Sequence, residues 1–293
     1  MKVILVGNCQ VEHIASFMQQ AVVDESVEIT AAKPVYLIEQ EEVAELHNQI
    51  SQCDLLICQP IGDEYRSNIG LGTKFLISLL PEKSKSLVIP NLYYDASFPT
   101  FGYFKDSSGE AIRASDPMWS QNLPWGDYHD YLLFAAVHKG LSPYEFLELV
   151  NKSPIWDIVS IRNTSIANMR DRDISCGIKG VEVFERLQGD MKLAESFHSY
   201  NHPSNELLII LASTIMRNAE IDAVDIDMLE QEILLNPKLP IYKVSAGLSS
   251  FSDDFLMKSY SIYQKEYTSN KSSLALNITK DKYKMCHELI ESI

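Results

Sequence analysis

The sequence predicts an α/β protein with a mostly parallel central sheet, and three stretches carry that expectation. Residues 2–6, KVILV, form an unbroken apolar run that passes through Gly7-Asn8-Cys9-Gln10 into a segment where Val11, Ile14, Ala15, Phe17 and Met18 recur at helical spacing. Strand, tight turn and helix in that order open a sheet covered by helices, because a parallel strand is buried on both faces and needs a crossover to its neighbour. DLLICQPI at 54–61 and SLVIPNLYYDASFP at 86–99 repeat the pattern of a buried run ending in a polar or aromatic cluster. In open parallel sheets the ligand crevice lies outside the carboxyl ends of the strands, so the three clusters are expected to share one site.

The remaining elements follow in order. VEITAAKPVYL at 27–37 can supply a strand, and the acidic stretch 39–52 has helical periodicity. From 103 to 128 the chain carries Pro117, Trp119, Pro124, Trp125 and Gly126 with little periodicity, which predicts an inserted loop serving as a binding wall or lid. Residues 129–151 return to helix, and 152–199 read as helical in parts, with Arg162, Arg170, Arg172, Lys179, Arg186 and Lys192 offsetting some of the acid. Pro203 and a capping Ser204 open a strongly apolar helix within 201–216. An acidic segment at 220–236 and a Pro/Gly-punctuated loop at 237–250 precede amphipathic helices at 251–293. The expected division is a catalytic domain over 1–220, containing the loop near 103–128, and a mostly helical extension over 221–293.

Composition removes several function classes. The 293 residues carry 40 Asp and Glu against 25 Lys and Arg, a formal net charge of -15, with 46% hydrophobic residues. Such a chain folds rather than staying disordered, and it offers a phosphate backbone no basic excess, which argues against nucleic-acid partners. The five cysteines, Cys9, Cys53, Cys58, Cys176 and Cys286, show no CxxC spacing, so a disulfide scaffold and a thiolate zinc site are both poor readings. No HExxH or EF-hand pattern occurs, and Asp225-Ile226-Asp227 with Glu230 and Glu232 reads as a solvated face, so no metal is expected. The first apolar run stops at Gly7, short of the roughly 7–15 residues of a secretory core, and no later run approaches membrane-spanning length. A cytoplasmic location and no integral membrane segment are therefore expected; the sequence carries no signal for oligomeric state.

Cys9 stands where the first strand turns into a helix. Unpaired helix N-terminal amides there would favour the thiolate and could hold an oxyanion if the sulfur attacks an acyl carbonyl; the alternative is a small buried hydrophobe. Asn8 and Gln10 can cap the helix or stabilise a reacting oxygen, Gly7 permits the turn or a close approach, and His13 lies one turn along the same helix. A nucleophilic thiol needs a base within about 3 Å, and His202, in a loop before an apolar helix, is the best placed, with His198 four residues earlier. Asn91 and Gln59 follow buried strands and can donate to an oxyanion or satisfy loop carbonyls. Tyr93, Tyr94, Phe98, Phe101, Tyr103 and Phe104 suit a wall for a partly apolar ligand, or plain core. Arg66 and Lys74, in EYRSNIGLGTKFL, and Arg113 are the local cations available to a phosphate, although the P-loop spacing is absent.

The blocks VGNCQ at 6–10, PNLYYDASFP at 90–99 and NHPSNEL at 201–207 together resemble the WcbI-type polysaccharide biosynthesis proteins, a family assigned to acetyl transfer and related in fold to the SGNH (GDSL-like) hydrolases. The resemblance spans most of residues 1–215. It implies a flavodoxin-like three-layer α/β/α fold, coenzyme A as ligand with acetyl-CoA as acyl donor, and a carbohydrate acceptor in surface-polysaccharide assembly. It places Cys9 at the nucleophile position, His202 as base and Asn91 as the block asparagine. The middle glycine is matched by Gly62 or by the side chain of Gln59, and Ser199 stands where the orienting aspartate is usual. A cysteine-based carbohydrate esterase or deacylase using water, and a non-catalytic coenzyme A or glycan binding protein, are the alternatives.

Overall fold

The computed structural model describes residues 1–67, 69–107, 109–153, 156–175, 196–226, 233–234, 236–246, 250–275 and 280–292. Of the residues named above, Cys176, Lys179, Arg186, Lys192, Asp227, Glu230 and Glu232 lie outside the described residues. The chain forms two compact units: Met1–Tyr94, Thr164–Phe197 and Asn201–Leu235 make the first, and Asp95–Asn163, His198–Tyr200 and Asn236–Ile293 the second. Residues 95–163 thus group with the C-terminal segment rather than with the first strands, a division other than a boundary at 220.

The first unit is built on four parallel strands, β1 (Lys2–Val6), β2 (Glu28–Ala31), β3 (Leu55–Cys58) and β4 (Lys85–Val88), in the order β2-β1-β3-β4. The two central strands are the two with unbroken apolar sequence, VILV and LLIC, as strands covered on both faces must be. At the edge, β4 begins with exposed Lys85 and Ser86. Strand β2 is shorter than the 27–37 run suggested, since Pro34 has no N–H to give a ladder. Helices α1 (Gln10–Ala21), α2 (Val43–Ile50) and α3 (Thr73–Ser78) fill the crossovers.

Successive side chains on a strand face opposite ways, and the core divides accordingly. Ile4, Val6, Leu56 and Cys58 pack with Val43, Leu46 and Ile50 of α2 and Leu76 of α3. The intervening Val3, Leu5, Leu55 and Ile57 are buried as well, and α1 covers β1 and β2 while packing against α7 (Asn205–Asn218). Helices on both faces of a parallel sheet make the three-layer α/β/α arrangement expected from the sequence. The α7 helix starts where expected: the Ser204 hydroxyl accepts from the Leu207 amide.

From β1 the chain goes to β2 on one side and returns to β3 on the other. The two crossovers diverge at the carboxyl ends of β1 and β3, which makes this the topological switch point, the place where open α/β sheets bind ligands. Gly7-Asn8-Cys9 follows β1 and Gln59 follows β3, so the switch point falls on two of the clusters singled out above.

In the second unit, β5 (Phe101–Gly102) pairs antiparallel with β6 (His129–Asp130), and helices α4 (Tyr131–Lys139), α5 (Pro143–Val150), α9 (Asp253–Ser269) and α11 (Lys280–Glu291) supply the bulk. Between α7 and α9 lies the short α8 (Lys243–Ala246); α6 (Ile158–Ser175) and α10 (Lys271–Ala275) complete the described helices. Phe101, Phe104, Trp125, Tyr263 and Tyr267 are fully buried and meet at ring-centroid distances of 4.9–5.6 Å. The 103–128 segment, expected to be a loop forming a binding wall or lid, lends Phe104, Ile112, Trp119, Leu123, Trp125 and Tyr128 to this core, while Lys105, Asp106, Glu110, Ser115 and Pro117 are exposed. Trp119 and Trp125 are buried, and the buried Glu266 carboxylate on α9 accepts the Ser120 amide at 2.9 Å.

Candidate active site

The turn after β1 is held by side-chain amides, each bridging segments far apart in sequence. The Asn8 backbone N–H donates to Gln59 Oε1 at 2.8 Å, and Asn8 Nδ2 donates to Asn91 Oδ1 at 2.9 Å. Gln59 Nε2 donates to Gln10 Oε1 at 3.1 Å, and that oxygen also accepts the Leu92 N–H at 3.2 Å. Gln10 Nε2 donates to the carbonyls of Leu92 at 2.8 Å and Asn201 at 2.9 Å. The ends of β1, β3 and β4 and the segment before α7 are thereby tied together, and the three sequence clusters do meet.

This network assigns several side chains. Gln10 is completely buried and all four of its hydrogen-bonding positions are used, so it has no donor for a reacting oxygen; it positions the segment that carries His202. Gln59, 2% exposed, is likewise committed to the turn. Gly7 is there for close approach: a Cβ on it would lie 2.7 Å from Val11 Cγ1 and against the Gln59 amide. Asn91 is half-buried; its Oδ1 accepts from Asn8, and its Nδ2 donates to no described residue, which leaves that N–H available as an oxyanion donor.

Cys9 departs from its expected electrostatics. Asn8 Oδ1 accepts the Gln10 N–H at 2.9 Å, and the Val11 N–H bonds the Asn8 carbonyl at 3.2 Å, so these helix-start amides are already taken. Burial pushes the thiol above its ordinary pKa; its own backbone amide and a hydrogen bond with the Tyr36 side chain pull the other way, and Glu12 adds to the rise. The resting group is a neutral thiol, which must be deprotonated by a base before it can attack. On the same helix His13 is half-buried, and burial lowers its pKa, keeping it neutral at pH 7.

His202 lies in β8 (His202–Pro203), which forms a two-stranded hairpin with β7 (Phe197–Ser199). Cys9 and His202 each adjoin one end of the bond between Gln10 Nε2 and the Asn201 carbonyl, and this places both at the carboxyl edge of the sheet. Ser199 is buried, and its hydroxyl meets the Tyr128 hydroxyl at 3.3 Å.

The cations and aromatics read differently from the expectation. Arg66 Nη1 donates to the Ile38 carbonyl and, at 3.4 Å, to that of Val35, so its guanidinium braces the loop after β2. Arg113 belongs to the second unit, paired with Asp127 at 2.9 Å. Lys74 is exposed at the start of α3, and Gly62 has open space around its Cα. Tyr94 is buried with its ring 5.5 Å from that of Phe197, and Phe98, Phe101 and Phe104 are buried as well: most of the aromatic stretch is core, because its side chains satisfy packing before they reach a cleft. Sequence reasoning missed Tyr36, although it follows β2 in the same way that Gln59 and Asn91 follow their strands.

No curated protein matches the chain. A solved structure of WcbI, described as a novel polysaccharide biosynthesis enzyme in a native form without a disulfide bond between coenzyme A and one of its cysteines, matches with a TM-score of 0.72 at 16% identity, covering 98% of each chain. At that identity the likeness speaks for the fold, and it extends over both units. The family model for the polysaccharide biosynthesis enzyme WcbI matches residues 2–223, which contain the Cys9 turn, the amide network and the His202 hairpin; the chain belongs to the WcbI family of polysaccharide biosynthesis enzymes.

Proposed function

We propose that this chain transfers an acyl group, acetyl foremost, from coenzyme A to a sugar hydroxyl during surface or capsular polysaccharide biosynthesis, in the cytoplasm. The observation that carries the reading is the Gln10–Asn201 hydrogen bond, which brings the segments of Cys9 and His202 to one edge of the sheet at its topological switch point. Coenzyme A supplies the acyl group in activated thioester form. The donor set suits that partner: a thiol able to exchange with a thioester at nearly balanced energy, and an amide free to receive a developing negative oxygen.

His202 takes the proton from Cys9, whose sulfur then attacks the acyl carbonyl. Asn91 Nδ2 donates to the oxygen as it gains charge, a contact worth more there than in the ground state. The departing thiolate recovers the proton from His202, leaving the acyl group on Cys9. A sugar hydroxyl then gives its proton to His202 and attacks the acyl carbon, and the sulfur leaves and is reprotonated. Gln10, Gln59 and Asn8 act by fixing geometry, since a misplacement of about 1 Å costs on the order of 100-fold. Lys74, exposed at the start of α3, is the cation of this unit we assign to a phosphate of coenzyme A.

The test is incubation of acetyl-CoA with a panel of sugar acceptors, following free thiol, acylated sugar and free acetate. Acylated sugar made by the wild type and lost in C9A and H202A supports the proposal. Transfer undiminished in both C9A and C9S would remove the covalent role of Cys9. Release of free acetate alone would make the chain a deacylase, and binding without turnover, surviving H202A, would make it a coenzyme A or glycan binding protein.

A further inference from the structure

The loop that follows β2 lies along the end of β1. The Ala32 N–H donates to the Leu5 carbonyl at 2.8 Å and the Val35 N–H to the Gly7 carbonyl at 2.9 Å, two residues before Cys9. Between and beyond these anchors Arg66 binds the carbonyls of Val35 and Ile38, one on either side of Tyr36. Arg66 does so from a left-handed backbone conformation, φ 48°, which is costly for a non-glycine residue and persists only when its surroundings hold it. The residue so bracketed, half-buried Tyr36, hydrogen-bonds the Cys9 thiol.

We propose that Tyr36 is a further catalytic residue, its hydroxyl donating to the Cys9 sulfur, and that Arg66 is the positioning residue that sets Tyr36 over it. The inference rests on the reading of Cys9 as nucleophile. A donor O–H binds a thiolate more strongly than a thiol, so the contact strengthens when His202 removes the proton and weakens when the sulfur becomes acylated. It offsets part of the burial that otherwise keeps the sulfur protonated. Deleting the donor therefore raises the titration midpoint of the sulfur, because the thiolate loses a charge-assisted hydrogen bond that the neutral thiol uses less. For each tenfold gain in thiolate near neutral pH, nucleophilicity falls about threefold at a Brønsted slope near 0.4–0.5, leaving a net gain in rate of about threefold.

The experiment is the pH profile of Cys9 alkylation by iodoacetamide, read on the Cys9 peptide by mass spectrometry, in wild type, Y36F and R66K, with circular dichroism and melting on each. Y36F keeps the ring and removes the donor; its midpoint is expected to rise, and its rate near neutral pH to fall by roughly threefold. R66K keeps the charge but cannot span two carbonyls, and its midpoint is expected to move in the same direction. An unmoved midpoint in Y36F overturns the role of Tyr36. A moved midpoint in Y36F with none in R66K overturns the role of Arg66. Alkylation needs no turnover, so absence of acylated sugar would end the transferase reading without touching this result, and an unmoved midpoint would leave the transferase reading intact.

Discussion

Replacing Gln10 by Met keeps an unbranched side chain of similar size and deletes one amide. The wild-type amide makes four hydrogen bonds, to Gln59 Nε2, the Leu92 N–H and the carbonyls of Leu92 and Asn201, and none of its surface is exposed. At a net worth of about 1 kcal/mol per bond, with water excluded from the partners left behind, Gln10→Met should lower unfolding free energy by about 4 kcal/mol. Against a typical stability of about 5–15 kcal/mol the variant remains folded at low temperature. Urea unfolding at matched pH measures this, and the slope against denaturant should stay constant while the midpoint falls. A second consequence follows from the Asn201 carbonyl: with its anchor gone, the His202 hairpin loses its tie to the turn of Cys9. Transfer should then fall by on the order of 100-fold in molecules that are still folded, as misplacement of catalytic groups predicts. A loss below about 1 kcal/mol would refute the keystone role of Gln10, because even one stranded buried partner costs that much.

Gly7→Ala should destabilise the first unit by about 1–3 kcal/mol, since the new methyl lies 2.7 Å from Val11 Cγ1 in a packed turn; an unchanged melting temperature would contradict the close approach described. In the second unit, buried His129 and Asp130 should oppose one another as pH changes. Burial lowers His129 to about 3, so the unfolded chain binds the extra proton and stability rises with pH between about 3 and 6.5. Burial raises Asp130 to about 6, although Tyr242 at 2.6 Å and the Leu132 amide hold its carboxylate; the native state binds the extra proton, so its contribution is present below about 4 and is lost as pH rises through 6. Asp130→Asn should therefore steepen the rise of stability with pH between about 4 and 6, by up to 1.36 kcal/mol per unit, in urea titrations at stepped pH. An unchanged slope would refute the assignment.

Short-range pattern carried much of the fold. The apolar runs at 2–6 and 54–61 became the two central strands, Ser204 capped its helix, and the expected turn at Gly7 formed, because burial on both faces and capping are written in adjacent residues. Pattern also put Cys9, Gln59 and Asn91 at one end of the sheet. Bond partners were not legible. Gln10 looked like a donor for chemistry until its amide was found spent on residues 49 to 191 positions away, and Arg66 looked like a phosphate ligand until its guanidinium was found on two carbonyls. The tyrosine on the thiol and the burial that keeps that thiol protonated belong to the same class. The amino-acid order by itself determined which segments are strands and which polar residues end them, since those depend on periodicity along the chain. Only tertiary structure decided what each polar group is bonded to and how dry it is, because hydrogen bonding and desolvation are set by neighbours in space that the chain brings together from many turns away.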